Sequence, residues 1–198
     1  MDIMIIVYAV LSYLIGSIPS GLIIGKLFFN TDVRQYGSKN IGATNTYRVI
    51  GLKAALPVFL CDALKGAAGV VLLSPYGPMF MILGGILGMM GHNWSVFLGF
   101  KGGRGVATGL GVLFALSPIV ALICFLVWGV IVYFTKLVSL GSIIAAALVP
   151  VLMYFTGESF WFVGFGGLAA LFVIVRHWDN IKRLLAGNEL KVERIKKD

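Results

Sequence analysis

The sequence predicts an all-α, polytopic integral membrane protein, and three observations carry that prediction. Of the 198 residues, 59% are hydrophobic and 12% are charged, against about 25% charged in ordinary soluble domains. The mean hydropathy is +0.97. Apolar runs able to cross a hydrocarbon core of roughly 30 Å recur along the chain, separated by short polar or glycine-rich segments. Residues 1–198 are read as a single transmembrane domain. The net charge of +8 does not point to nucleic acid. Its cations flank membrane segments, where they set topology or meet the head groups of the lipid bilayer. Cys61 and Cys124 lie in separate apolar runs and there are two histidines, so neither a disulfide framework nor a structural metal site is expected.

The elements follow in order. Residues 3–29 are the first span. No basic stretch precedes it and no small-residue cleavage site is evident, so it is read as retained rather than as a signal peptide. Gly16-Ser17-Ile18-Pro19-Ser20-Gly21 interrupts it, either as a proline kink packed on a neighbour or with small hydroxyls lining a site. Residues 30–51 are a polar loop with Asp32, Arg34, Lys39 and Arg48. Residues 52–73 are the second span. Its Asp62 and Lys65 are three apart, share a helix face and are read as an internal pair. Ser74-Pro75-Tyr76-Gly77-Pro78 is a tight turn. Residues 79–97 are the third span, with Gly84-x-x-x-Gly88 and Gly91 suited to close helix packing. Residues 106–134 would make one helix of about 43 Å, too long for a simple crossing. Ser117-Pro118 divides the run into two short spans. Residues 139–155 and 160–175 are the last two, and residues 176–198 form a basic tail.

With that division there are seven transmembrane helices, the N-terminus outside and the C-terminus cytoplasmic. Inner segments then hold Lys26, Arg34, Lys39, Arg48 and Lys53, then Lys101 and Arg104, then Lys136, then the tail. The outer turns hold neither Lys nor Arg. Without the division, Lys136 and the tail would lie outside, against the positive-inside rule.

The polar chemistry gathers on the cytoplasmic face of this topology. Gly99-Phe100-Lys101-Gly102-Gly103-Arg104-Gly105-Val106-Ala107-Thr108 has two cations and four glycines in ten positions. Backbone N–H groups beside Lys and Arg at a helix start make an anion cradle, with phosphate the commonest ligand. The stretch is not a Walker A loop, since Gly-x-x-x-x-Gly-Lys-Ser/Thr is absent. In the first loop, Ser38, Lys39, Asn40, Thr44, Asn45 and Arg48 offer hydrogen-bonding groups among glycines, or form a solvated loop. In the tail, His177 and Asn180 face one way on a predicted helix. Trp178, Ile181 and Leu185 suit an interfacial position, and Gly187 a helix end. His92 and His177 are each open to a structural or a catalytic role.

These segments resemble the signature motifs of the bacterial acyl-phosphate:glycerol-3-phosphate acyltransferases, polytopic membrane enzymes of phospholipid synthesis. The resemblance lies in Gly16-Ser17-Ile18-Pro19-Ser20-Gly21, in Gly37-Ser38-Lys39-Asn40-Ile41-Gly42-Ala43-Thr44-Asn45, in Gly91-His92-Asn93-Trp94, in Phe100 through Thr108, and in Arg176-His177-x-x-Asn180-Ile181-x-Arg183-Leu184-x-x-Gly187-x-Glu189. The segments occur in order over nearly the whole chain. Arg104 stands where many relatives are expected to carry Lys, which keeps the charge.

The resemblance implies transfer of a fatty acyl group from acyl phosphate to the 1-hydroxyl of glycerol 3-phosphate, giving lysophosphatidate and inorganic phosphate. It implies a bacterial cytoplasmic (inner) membrane enzyme whose active site faces the cytoplasm, with no cofactor, no metal and no obligate protein partner. Ser38, Arg48, Lys101, His177 and Asn180 become the expected catalytic residues. Lys39, Asn40, Thr44, Asn45, Gly102, Gly103, Arg104, Gly105, Thr108, Ser142 and Glu189 become the expected substrate-binding residues. Acyltransferases that use acyl-CoA or acyl-carrier protein carry His-x-x-x-x-Asp. Here Phe97 stands five residues after His92, and Lys182 five after His177. The competing reading is a transporter of a phosphorylated solute, which needs charges near the bilayer midplane. Only Asp62 and Lys65 qualify, and the other polar groups cluster on one face. A non-catalytic membrane adaptor would leave the glycine-rich polar loops without a role.

Overall fold

A computed structural model describes residues 2–194; Met1 and residues 195–198, the end of the expected basic tail, lie outside the described residues. Among the described residues there are ten α-helices and no strand. They are α1 (Ile3–Ser17), α2 (Ser20–Phe29), α3 (Ala43–Val49), α4 (Leu52–Leu73), α5 (Pro78–Asn93), α6 (Val106–Leu116), α7 (Pro118–Thr135), α8 (Val138–Phe155), α9 (Phe160–Arg176) and α10 (Trp178–Leu185). Two compact units divide the chain, residues 1–112 with 192–198 and residues 113–191.

In the first unit α1, α4 and α5 pack on one another, with α2 and α3 against α4. Lipid is as apolar as leucine, so helices associate there through backbone proximity and polar contacts rather than through hydrophobic burial. The glycines supply that proximity. A Cβ at Gly16 would strike the Gly88 carbonyl, and one at Gly69 or Gly84 would strike the other's carbonyl. Polar side chains lock the contacts. Ser12 donates to the Tyr8 carbonyl at 2.7 Å and lies 3.4 Å from that of Gly69, while the Tyr13 hydroxyl donates to the Trp94 carbonyl at 2.7 Å.

The expected first span is two helices bent by 46°. Pro19 has no N–H to continue the ladder, and the freed carbonyls find other donors. Ser95 Oγ donates to Ser17 at 2.6 Å, and Lys65 Nζ to Ile18 at 2.8 Å. The Gly16–Gly21 cluster is thus a packed kink. Lys65 also pairs with Asp62 at 2.7 Å, with side chains 5% and 2% exposed, as the shared helix face predicts.

The division at Ser117-Pro118 is present, with α6 ending at Leu116 and α7 beginning at Pro118. α6 has 11 residues, about 16 Å of rise. Its first half lies across α4 and α5. Thr108 meets Gly66 and Gly111 meets Ala63 on α4, while Gly109 meets Met89 and Val112 meets Gly85 on α5. Those contacts step toward the N-terminal end of both partners, and the partners run antiparallel, so α6 crosses them obliquely.

In the second unit α8 packs between α7 and α9, and α10 rests on α8 and α9. The break before α7 is closed by Ser117 Oγ donating to a Glu158 carboxylate oxygen. α7 presents Leu122, Leu126, Val130 and Tyr133 outward, a surface suited to lipid.

Four helices, α4 with its terminal turn, α5, α7 and α8, are long and apolar enough to cross a membrane singly. The bent pairs α1–α2 and α9–α10 raise the number to six, and α6 falls among the shorter apolar helices. The expected count of seven is therefore not met by length and composition, because the expected fourth span is one oblique short helix.

Replacing Gly16 by Leu forces a side chain into the Gly88 backbone, which cannot move aside as a side-chain tip can. Gly16→Leu is expected to cost about 3 kcal/mol and to lower the melting temperature of the detergent-purified protein, read by a thermal-shift assay. Gly164→Leu, where a Cβ meets nothing within 4 Å, is expected to leave it unchanged.

Candidate active site

The loop before α3 is built on one carboxamide. Asn45 is 1% exposed. Its Nδ2 donates to the carbonyls of Val33 at 2.8 Å, Asn40 at 2.9 Å and Tyr36 at 3.2 Å, and its Oδ1 accepts the Ser38 N–H at 2.8 Å. Asn45 is expected from sequence to bind substrate; its amide instead holds the loop and aims the Ser38 backbone. Asn40 is likewise committed, its Oδ1 accepting the Gly42 N–H at 2.9 Å where α3 begins. Gly37 and Lys39 both have φ +58°, the left-handed region that a lysine adopts only under constraint. The turn leaves Lys39 exposed and Ser38 half-buried. Thr44 lies in the first turn of α3, and Arg48 is buried in the last, 6% exposed. Upstream, Asp32 bonds Arg34 bidentately at 3.0 and 2.7 Å and pairs with Lys26 at 3.4 Å. The Arg34 bond outweighs desolvation and holds the carboxyl well below the usual carboxylate range.

The glycine-rich stretch folds back onto the end of α5. Gly99 (φ +58°) and Phe100 (φ +62°) reverse the chain. Gly102 N–H then donates to the Asn93 carbonyl at 3.1 Å and Gly103 N–H to that of His92 at 3.0 Å. These two N–H groups are therefore not turned to a ligand, contrary to the sequence expectation. Gly105, at φ +80°, carries the chain into α6. The first-turn N–H groups of α6, from Val106 to Thr108, have no partner inside their own helix, as in any α-helix, and they sit at the positive end of its dipole. Lys101 is exposed and Arg104 half-buried beside them in sequence. The Thr108 hydroxyl is 0% exposed and without a hydrogen-bond partner. Its substrate-binding expectation passes to its backbone N–H. What remains of the expected cradle is one helix N-terminus and two cations, not a ring of glycine amides.

The second unit carries the remaining expected residues. His177 Nδ1 lies 2.8 Å from the Val173 carbonyl. A carbonyl can only accept, so Nδ1 bears the proton and donates it there. Asn180 Nδ2 donates to Glu189 Oε1, whereas Asn180 Oδ1 is buried and has no partner among the described residues. Glu189 also accepts from Ser139 Oγ at 2.9 Å and from Arg183 Nε at 2.7 Å, with its side chain 4% exposed. It is expected to touch substrate. Its carboxylate is instead the knot tying the tail to α8 and α10. Ser142 donates to its own helix at Val138, 2.9 Å away, so its proton is committed and only a lone pair remains.

Sequence reasoning gave no role to Ser139 or Asn93 and did not foresee the contact between Asp62 and His92, whose Oδ1 and Nδ1 stand 3.7 Å apart. Only Asn93 carried a signal, its place in Gly91-His92-Asn93-Trp94.

Apolar helices of membrane length define an integral membrane protein, and its buried polar segments are candidates for binding an anion. The chain belongs to the glycerol-3-phosphate acyltransferase family, whose model it matches over residues 6–187. It is 45% identical to a glycerol-3-phosphate acyltransferase of Fusobacterium nucleatum, covering 93% of this chain and 96% of that one. It is 46% identical to glycerol-3-phosphate acyltransferase 2 of Moorella thermoacetica, covering 92% and 95%. Two crystal structures of PlsY (YgiH), an integral membrane glycerol 3-phosphate acyltransferase, superpose on it. The glycerol 3-phosphate form has TM-score 0.89 and 39% identity, and the lysophosphatidic acid form TM-score 0.87 and 38% identity, each covering 94% of both chains.

The Glu189 knot predicts a pH dependence. Burial raises the carboxyl's pKa, but the bonds from Asn180, Arg183 and Ser139 outweigh it and hold the group below its ordinary value of 4.5. A depressed carboxyl stabilises fully above that ordinary value and loses its contribution as pH falls through the folded one. The protein is expected to lose thermal stability below pH 4.5. Glu189→Gln is expected to cost about 2 kcal/mol at neutral pH and to flatten that acid limb of the melting curve.

Proposed function

We propose that residues 1–198 form one catalytic domain that transfers a fatty acyl group from acyl phosphate to the 1-hydroxyl of glycerol 3-phosphate. The observation that carries this reading is the conjunction of family membership with a phosphate cradle at the start of α6. The hydroxyl oxygen attacks the acyl carbonyl carbon, and the bond from that carbon to the phosphate oxygen breaks. Phosphate departs and takes the hydroxyl proton. An acyl phosphate is a mixed anhydride with a good leaving group, so positioning and charge neutralisation suffice.

In the first unit, Lys101, Arg104 and the α6 N-terminus neutralise one substrate phosphate. Ser38 and Arg48 offer a hydroxyl and a guanidinium to the second phosphate or to the acyl carbonyl, with Asn45 fixing the loop that presents Ser38. In the second unit, Asn180 Oδ1 is an acceptor suited to a glycerol hydroxyl, and His177 orients the same group. Glu189 acts through Asn180 by holding its Nδ2.

The topology that fits this chemistry has seven crossings, the N-terminus outside and the C-terminus in the cytoplasm. The break between α6 and α7 supports it, as does the absence of Lys and Arg from the outer turns. α6 then crosses where the bilayer is thinned. In a bacterial cytoplasmic membrane this turns the anion-binding segments toward the soluble phosphate ester, while the acyl chain stays in lipid.

Purified protein is expected to form lysophosphatidate from acyl phosphate and glycerol 3-phosphate, and none when acyl-CoA replaces acyl phosphate; a folded preparation inactive with acyl phosphate sinks the proposal. Lys101→Ala is expected to raise one substrate KM about tenfold or more, and unchanged values for both substrates would remove Lys101 from the cradle. Ser38→Ala distinguishes hydrogen bonding from covalent catalysis. Substantial residual rate without a trapped acyl-enzyme is the expected result.

A further inference from the structure

Asp62 and Lys65 carry no role in the acyl transfer as proposed above, yet they are buried near the middle of α4, with the amine 2.7 Å from Asp62 Oδ1. Such a pair is a weak source of stability, since apolar side chains of similar volume often do as well. Ionisable groups within a membrane span more often mark a function. Lys65 has a local duty, donating to the Ile18 carbonyl that the α1–α2 break exposes. Asp62 also faces the end of α5, where His92 Nδ1 stands 3.7 Å from its Oδ1. That is too long for a direct hydrogen bond, but close enough in a low-dielectric interior to orient the ring.

His92, 4% exposed, supports the glycine-rich stretch. Its carbonyl accepts the Gly103 N–H at 3.0 Å, and its Nε2 lies where a Cβ on Gly103 would stand. Asn93 repeats the pattern one residue on. Its carbonyl accepts the Gly102 N–H at 3.1 Å, and its side chain lies against Gly105, where a Cβ would be 2.9 Å from Nδ2. Any side chain at 103 or 105 would lift the loop off this support. His92 and Asn93 lie directly against residues 102–105, so they can act on a ligand through the loop.

We propose that Asp62 and His92 are positioning residues for phosphate binding. Asp62 fixes the His92 imidazole. The imidazole, with the His92 and Asn93 carbonyls, sets residues 102–105 so that Lys101, Arg104 and the first turn of α6 converge on one substrate phosphate. The inference rests on reading that stretch as the phosphate cradle, and it gives the intramembrane carboxylate a duty beyond holding Lys65.

Two readouts on the purified full-length chain test it: steady-state kinetics for both substrates, and equilibrium binding of inorganic phosphate, which needs no turnover. Asp62→Asn keeps the shape and an acceptor for Lys65 while removing the charge that faces His92. It is expected to raise the KM of one phosphate substrate about tenfold, with kcat changed less than about threefold, and to weaken phosphate binding by the same factor. His92→Phe is expected to do the same, and the double variant to add nothing further, as for two parts of one device. A lowered melting temperature with unchanged KM values and unchanged phosphate binding assigns the pair to packing alone and overturns the proposal.

If either variant fails to fold, Gly103→Ala carries the test. The added methyl is expected to raise the same KM when His92 is present and to add nothing to the effect of His92→Ala when the two are combined. An equal increment from Gly103→Ala in both backgrounds overturns the proposal. A wild type that binds phosphate but makes no lysophosphatidate defeats the acyl-transfer reading, while the binding arm still decides this one.

Discussion

The first unit depends on backbones that touch. In lipid the hydrophobic effect does not draw helices together, and an ordinary side chain at a crossing keeps two axes apart. Gly16 against Gly88, Gly69 against Gly84, and Gly66 against Thr108 remove that spacer at successive levels of α1, α4, α5 and α6. The consequence for chemistry is indirect but strict. Close axes bring Asp62 of α4 to within 3.7 Å of His92 at the end of α5, and let Lys65 reach across to the carbonyl of Ile18 at the α1–α2 break. A wider bundle would break the Lys65 bond to the Ile18 carbonyl and leave the Asp62–Lys65 pair in hydrocarbon with fewer polar neighbours, which is costly. Packing and polar satisfaction therefore select the same geometry.

Much of the polar inventory holds shape rather than ligand. Asn45 joins four backbone groups of one loop, and Glu189 collects a hydroxyl, a carboxamide and a guanidinium. Both are nearly inaccessible in their side chains. Fully partnered polar groups rigidify what they join, which suits segments whose other residues must be held for contact with an anion. The division of labour is visible within each segment. Ser38 is half-buried beside the buried Asn45, and Lys101 is exposed beside Gly103, pinned to α5.

The fold was legible in the sequence where composition is local. The second expected span has the bounds of α4, the Ser117-Pro118 division falls between α6 and α7, and the last two spans differ from α8 and α9 by one residue. Proline and the length of an apolar run fix such boundaries without reference to neighbours. The oblique course of α6 was not legible, because it is decided by contacts with α4 and α5. The site divides in the same way. Residue types able to bind phosphate could be read, but not which of their atoms were already in use. Glu189 is tied to a serine 50 positions away, and the amides of Gly102 and Gly103 to carbonyls on another element. A hydrogen-bond partner distant in sequence leaves no periodicity, so a group's commitment can be seen only in the folded chain.

The depth of the proposed cradle follows from the same contacts. His92 lies level with Asp62 at the middle of α4, and Thr108 lies against Gly66 a turn further on. The start of α6 is thus set well below the N-terminal end of α4 rather than at its rim. An anion there loses much of its hydration, which is costly. The same low dielectric strengthens its attraction to a helix N-terminus and to fixed cations. The two effects balance only if the donors are already in place when the anion arrives, since reorganising them afterwards would remove the gain. A rigid loop held by His92 and Asn93 meets that requirement, whereas the mobile loop that four glycines in ten positions suggest would not. The glycines are needed here less for freedom than for proximity, because at 102, 103 and 105 a side chain would collide with the end of α5 that holds the loop.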